Sequence, residues 1–178
     1  YCRIGRSTRT AGNNGTVMSD VAAGGDKITS IVLQPDGKIV ATGAAGNMAG
    51  YAGDIALVRY QSSGAPDSSF GENGKVITVA GTRSSVGQKV LLQDDGQIIV
   101  AGTNYNLYGD GVPADFIVAR YNKDGSPNTH FGENGIQVTD FGGSADYAYD
   151  ALLQPDGKIV VVGFIEVVQN PALVRYNG

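Results

Sequence analysis

The sequence predicts an all-β fold, a β-propeller of four-stranded antiparallel blades with three blades in the chain. An Asp-Gly motif between apolar segments recurs three times, in residues 33–40, 92–99 and 153–160. The chain also contains no segment of useful length with helical periodicity. Four short strands in each repeat of roughly 40 to 60 residues are typical of propeller blades.

The first two strands of each repeat flank the Asp-Gly motif. Glycine accepts a positive φ angle and aspartate bonds to its own backbone, so this pair favours a tight hairpin turn. The turn residues are Asp36, Asp95 and Asp156. The first strands are predicted at 28–33, 88–92 and 149–153, and the second strands at 38–42, 97–101 and 158–162.

The third and fourth strands follow a variable loop. Each third strand ends in Arg-Tyr, and the predicted strands are 54–60, 115–121 and 171–176. The fourth strands are predicted at 75–79 and 136–140, and a third copy stands near the front of the chain at 16–19. The segment 16–19 is therefore predicted to complete the last blade.

The order of these units predicts how the propeller closes. Residues 1–11 are predicted to be a flexible leader or a cloning remnant, and 12–178 the three-blade propeller domain. Propellers typically have four to eight blades, so three cannot close a ring. We therefore expect a six-bladed homodimer, in which strand 16–19 of each chain completes the last blade of the other. A fragment of a longer propeller is the alternative.

Composition excludes several classes of function. The net charge is −4 and there is no Lys/Arg run, which argues against nucleic acid as a binding partner. No apolar run is long enough to cross a membrane as a helix, so no membrane insertion is expected. The single Cys2 leaves no Cys-based metal site, and we expect neither metal nor cofactor. The Gly-rich, Lys-poor composition fits an exported bacterial protein, extracellular or at the cell surface.

The repeated motifs resemble the delta-60 repeat, a bacterial propeller-type repeat found mostly in exported and cell-surface proteins. The resemblance is carried by Leu-Gln-Pro-Asp-Gly-Lys-Ile-Val, by Arg-Tyr, and by Gly-Ser-Pro-Asn-Thr-His-Phe-Gly. It covers residues 12–178. Ala11 departs from it, because Phe70 and Phe131 stand at the equivalent position. The resemblance implies the propeller architecture and no catalytic residues.

The residues that recur in every repeat are best explained by structure. The turn aspartates could ligate calcium, but their place before glycine favours turn formation. Arg59, Arg120 and Arg175 could line an anion site; we favour an inter-blade ion pair or stacking on the tyrosines that follow them. Phe70 and Phe131 are expected to fill gaps between blades.

Catalytic candidates are few. His130 is the only histidine, and Ser144 with Asp146 could complete a Ser/His/Asp site; Ser84 and Ser85 are further serine candidates. The loops holding Ser84 and Ser144 are predicted to open on one propeller face and the loop holding His130 on the other. Loops on opposite faces make a Ser–His pair hard to build within one ring. An esterase-like hydrolase, with its site in the channel or at the subunit boundary, is therefore kept only as the alternative function.

The loops that differ between repeats favour binding. Variable loops on a constant scaffold commonly carry recognition, and Asn and Tyr offer flat aromatic surface and adaptable hydrogen bonds. We expect a non-catalytic binding or scaffolding module with a carbohydrate or protein ligand; blades that only space other domains are a third reading. The candidate ligand-binding residues are Tyr51, Asn104, Tyr105, Asn106, Tyr108, Asp146 and Tyr147.

Overall fold

The computed structural model describes residues 16–46, 53–80, 84–105, 113–143 and 145–178. These residues form three antiparallel sheets, which confirms the all-β prediction. The predicted leader 1–11 lies outside the described residues.

Blade 1 contains β1 (Lys27–Leu33), β2 (Ile39–Ala45), β3 (Asp54–Tyr60) and β4 (Lys75–Thr78). Blade 2 contains β5 (Ser84–Leu92), β6 (Ile98–Tyr105), β7 (Asp115–Tyr121) and β8 (Ile136–Thr139). Blade 3 contains β9 (Asp146–Leu153), β10 (Ile159–Ile165) and β11 (Asn170–Tyr176).

Strand order within each blade follows the chain, so every neighbour is joined by a simple antiparallel connection. The third strands of blades 1 and 2 match their predicted bounds. The first two strands of each hairpin are generally longer than predicted at the ends far from the Asp-Gly turn. Ser84 and Ser85, which were expected in a loop, therefore lie in β5. None of the described segments is a helix that could span a membrane.

The Asp-Gly turns form as predicted. In blade 1, Gly37 N donates to Gln34 O across 2.9 Å, and Gly37 has a φ of 82°. Asp36 Oδ1 accepts a hydrogen bond from Lys38 N at 3.0 Å. Asp95 and Asp156 accept the equivalent hydrogen bonds from the residues two positions later. These aspartates build turns, and the calcium-ligand reading gains no support from them.

The blades pack face to face, with blade 2 in the middle. One apolar cluster joins blades 1 and 2, and a second joins blades 2 and 3. Phe70 is fully buried in the first cluster, close to the backbone of Gly125 in blade 2, as expected for a residue that fills the gap between blades. Arg59 stacks on Phe70 and Arg120 on Phe131, so for these two arginines the expected stacking on tyrosine is wrong.

Segment 16–19 lies against blade 1 in this single chain, and its predicted pairing with the last blade of another chain stays a prediction. It does not form a strand in this single chain, and blade 3 has three strands instead of four. Ser19 Oγ accepts a hydrogen bond from Tyr60 in blade 1. A strand needs a neighbour for its backbone hydrogen bonds, and a second chain is the neighbour that the prediction requires.

Candidate functional site

The candidate site lies where the variable loops leave blades 2 and 3. Strand β6 ends there at Tyr105, and strands β7 and β9 begin there at Asp115 and Asp146. Asp146 N donates to Ala114 O across 2.7 Å, which joins the starts of β7 and β9. Four of the predicted ligand-binding residues, Asn104, Tyr105, Asp146 and Tyr147, are therefore brought together at one end of the blades.

Two tyrosines form the centre of this surface. The ring centroids of Tyr105 and Tyr147 lie 6.0 Å apart, with the ring planes tilted by 43°. Both side chains are partly exposed. Partial burial raises the pKa of Tyr147, and the negative charge of Glu166 raises it further. The neutral phenol is thus favoured, and it can both donate and accept hydrogen bonds.

A group of carboxylates, which we call the acidic cluster, lies at the same end of the blades. Asp115, Asp140 and Asp146 each place a carboxylate oxygen within 4.8 Å of the others. Asp140 Oδ1 accepts hydrogen bonds from the backbone of Gly142 and Gly143, both at 2.7 Å. Asp146 Oδ2 accepts one from Phe141 N at 2.7 Å. The cluster concentrates negative charge, and its oxygens are of the type that hard cations prefer.

Sequence reasoning missed the acidic cluster, because its members come from three separate segments. Asp115 begins β7, Asp140 follows β8, and Asp146 begins β9. The equivalent positions between blades 1 and 2 are Asp54, Val79 and Ser85. Only the first is acidic, so the scaffold itself does not require the other two carboxylates. The signal in the sequence was the presence of aspartate where the preceding repeat has Val and Ser.

Asn104 lies beside this cluster. Its Cα pairs with that of Asp115 across the β6–β7 ladder, and the side chain is buried. Asn104 Oδ1 accepts no hydrogen bond from any described residue. The burial of this oxygen without a partner among the described residues costs stability, and the atom is closed to a ligand in this conformation.

The two described members of the predicted Ser/His/Asp site, His130 and Asp146, do not lie together. His130 lies in the connection that follows the end of β7, whereas Asp146 lies beside the start of β7. A seven-residue strand separates the two ends, which is about 20 Å at the usual rise per residue. Ser85 is buried within β5. The serine candidate Ser144 lies outside the described residues. The same is true of three candidate ligand-binding residues, Tyr51, Asn106 and Tyr108.

A family model described as a domain of unknown function (DUF5122), a β-propeller, matches residues 34–70, 93–131 and 154–178. These segments contain the three Asp-Gly motifs and together cover more than half of the chain. No curated protein matches it.

Proposed function

The chain belongs to the DUF5122 β-propeller family, and we propose that it is a non-catalytic binding module for carbohydrate. The contact surface is the end of blades 2 and 3 that carries Tyr105 and Tyr147. The observation that carries the proposal is the partly exposed pair of tyrosine rings 6.0 Å apart. Two tilted rings offer apolar surface for the C–H face of a sugar, and their hydroxyl groups add hydrogen bonds.

The polar groups around the tyrosine pair favour a ligand rich in hydroxyl groups. Asp140 is the exposed member of the acidic cluster, and its carboxylate oxygens are acceptors at the surface. Acceptors of this kind match the O–H donors of a sugar. Neutral or amino-containing sugars carry such donors and are the expected class.

The alternative of an ester hydrolase receives no support from the position of its candidates. A serine nucleophile requires a base within hydrogen-bonding distance, roughly 3 Å. His130 and Asp146 instead lie at opposite ends of β7. A site shared between subunits would need the His130 end of one chain to meet the Asp146 end of another, and no contact in the described residues favours that arrangement.

Export from a bacterial cell is a further part of the proposal. It is supported by the Gly-rich composition with a single cysteine. An antibody against the domain should detect it in the culture medium or on intact cells of the native host. Detection in the cytosolic fraction alone would contradict export without affecting the binding proposal.

The binding proposal is tested on a glycan array, followed by calorimetry with the glycan that binds best. We expect Tyr105→Ala and Tyr147→Ala each to weaken binding at least tenfold. The matched control is His130→Ala, which alters an exposed ring at the opposite end and should leave affinity unchanged. Equal affinity in all three variants, or no glycan bound by the parent chain, would overturn the proposal. Turnover of a nitrophenyl ester that is lost in His130→Ala would favour the hydrolase.

A further inference from the structure

We propose that a second copy of this chain packs against both outer faces of the three-blade unit, closing a six-bladed ring. Each blade has two faces. Inside the chain, a face of blade 1 packs on blade 2, and the opposite face of blade 2 packs on blade 3. Because the blades are repeats, the outer face of blade 1 corresponds to the face that blade 2 buries against blade 1. The outer face of blade 3 corresponds to the face that blade 2 buries against blade 3.

The outer face of blade 1 repeats the face that blade 2 buries against blade 1. Val90 in β5 is only 2% exposed at that internal junction, whereas its equivalent in β1, Ile31, is 67% exposed. Leu33 stands where β5 has the partly buried Leu92, and it is 68% exposed. Large aliphatic side chains thus occupy junction positions that have no cover in a single chain.

The outer face of blade 3 repeats the other half of the junction. Leu173 in β11 is 63% exposed, whereas its equivalents Leu57 and Val118 are fully buried at the two internal junctions. Leu152 and Val162 are also exposed on blade 3. The two open faces are therefore a matching pair, in the combination that the chain already uses twice.

Segment 16–19 lies on blade 1 in the position of an outer strand from a preceding blade. Tyr60 bonds to Ser19 Oγ at 2.7 Å. In the same way, Tyr121 pairs with Thr78 of β4 at 2.6 Å, and Tyr176 pairs with Thr139 of β8 at 2.7 Å. In both of those pairs the hydroxyl residue belongs to the outer strand of the preceding blade.

A second contact repeats this placement. Residues 16–18 line a groove together with the turn at 63–66 of blade 1. Val76 and Ile77 of β4 line the equivalent groove with the turn at 124–126 of blade 2. Segment 16–19 thus has the contacts of an outer strand that belongs to none of blades 1 to 3.

Blade 3 lacks the strand that segment 16–19 would supply. In blade 1, the outer strand pairs Leu57 with Val76. Transferred to blade 3, the same register pairs Leu173 with Val17 of the second copy. Arg59 N donates to Gly74 O beside the outer strand, so the equivalent N–H of Arg175 and, by alternation, that of Leu173 point to the open edge. Pro171 removes one donor at the far end and leaves these two.

A second copy satisfies both ends at once. Its third blade covers Ile31 and Leu33, and its first blade covers Leu173, so that two equal junctions are formed. Two copies of blades 1 to 3 give six blades, which lies within the range of four to eight that propellers use. Two-fold closure is also the commonest symmetry of oligomers.

The test is the mass in solution, measured by light scattering after size-exclusion chromatography at tens of micromolar. We expect twice the chain mass of 18.4 kDa. Leu33→Glu and Leu173→Glu, each placing charge on one open face, should give the single-chain mass with an unchanged β-sheet circular dichroism spectrum. The control Val167→Glu alters an exposed side chain in the β10–β11 turn and should remain a dimer.

Mixing the two face variants separates this arrangement from other dimers. In a mixed ring, one junction contains both substitutions and the other contains none, so an equimolar mixture should regain part of the dimer mass. A dimer formed by one face with itself would be insensitive to one of the two variants. A single-chain mass for the parent, a mass other than two chains, or face variants that stay dimeric would overturn the proposal. None of these outcomes bears on glycan binding.

Discussion

Arg59 donates its Nε hydrogen to Asp67 Oδ2 across 2.7 Å, and both side chains are buried at the seam between blades 1 and 2. The guanidinium group also lies 4.4 Å from the Phe70 ring centroid and bonds to Lys123 O of the next blade. One arginine thus connects its own blade to the next. Blade 2 has a weaker version, in which Arg120 bonds to Asn128 Oδ1 at 3.4 Å.

Asp67→Ala should destabilise the chain strongly, because it leaves the Arg59 charge buried without its partner. We expect a loss of roughly 3–5 kcal/mol in the free energy of unfolding, measured by urea denaturation. Asn128→Ala is the matched control at the equivalent position, where the lost partner is neutral, and it should cost roughly 1–2 kcal/mol. Equal losses at the two seams would contradict the ionic role of Asp67.

Asp67 should also make stability depend on pH in the acid range. Burial alone would raise its pKa, but hydrogen bonds from Ser69, Lys38 and Arg59 outweigh burial and hold the pKa well below its ordinary value. A group with a lowered folded-state pKa contributes stability above its unfolded pKa, about 4, and loses it as the pH falls further. Urea midpoints between pH 5 and pH 2 should therefore fall more steeply for the parent than for Asp67→Asn. Parallel curves would exclude this contribution.

The repeat made much of the fold predictable. The Asp-Gly turns needed only local chemistry, because Asp36 and Gly37 close the turn through their own backbone. The partner of Arg59 was not predictable in this way. The sequence shows Arg next to Tyr60, but neighbours in a strand point to opposite faces, so the guanidinium group stacks on Phe70 instead.

The candidate site was predictable in part. Variable loops pointed to Tyr105 and Tyr147, and the structure brings these two rings together. The acidic cluster could not be anticipated, because the approach of Asp140 to Asp115 depends on how β8 ends beside β7. Segment 16–19 has the sequence pattern of an outer strand. Whether it forms one depends on a neighbouring strand for its backbone hydrogen bonds, which the pattern of the segment itself does not reveal.

Tyr121→Phe should weaken the seam between blades 1 and 2. The Tyr121 ring is buried and its hydroxyl pairs with Thr78 Oγ1 at 2.6 Å. The variant removes the tyrosine hydroxyl and leaves the Thr78 hydroxyl without this partner. We expect a loss of about 1 kcal/mol in urea unfolding. Tyr149→Phe, which alters an exposed ring, should change nothing. A loss equal to that in Tyr121→Phe would show that the effect is not specific to the seam.

The same tyrosine should limit stability at high pH. Burial raises the pKa of Tyr121 and outweighs the opposing effect of its bond to Thr78. A group with a raised folded-state pKa contributes stability below its unfolded pKa, about 10, and loses it as the pH rises further. Absorbance at the tyrosinate wavelength should show this residue ionising only as the chain unfolds, and Tyr121→Phe should flatten the loss of stability above that pH. An unchanged slope would contradict the assignment.

Gly125→Ala should be far more destabilising than Gly37→Ala, although both glycines have a positive φ, of 89° and 82°. A Cβ atom at position 125 would lie 2.9 Å from Phe70 Cε2 and 2.8 Å from Val76 Cγ2. At position 37 the nearest atom would be Ser62 Cβ at 3.5 Å, an ordinary contact. The backbone strain, about 1–2 kcal/mol, is common to both variants, so their difference isolates crowding between blades. Overpacking adds roughly 1–3 kcal/mol. Urea unfolding of the two variants should show this difference, and equal midpoints would mean that Phe70 can move away without cost.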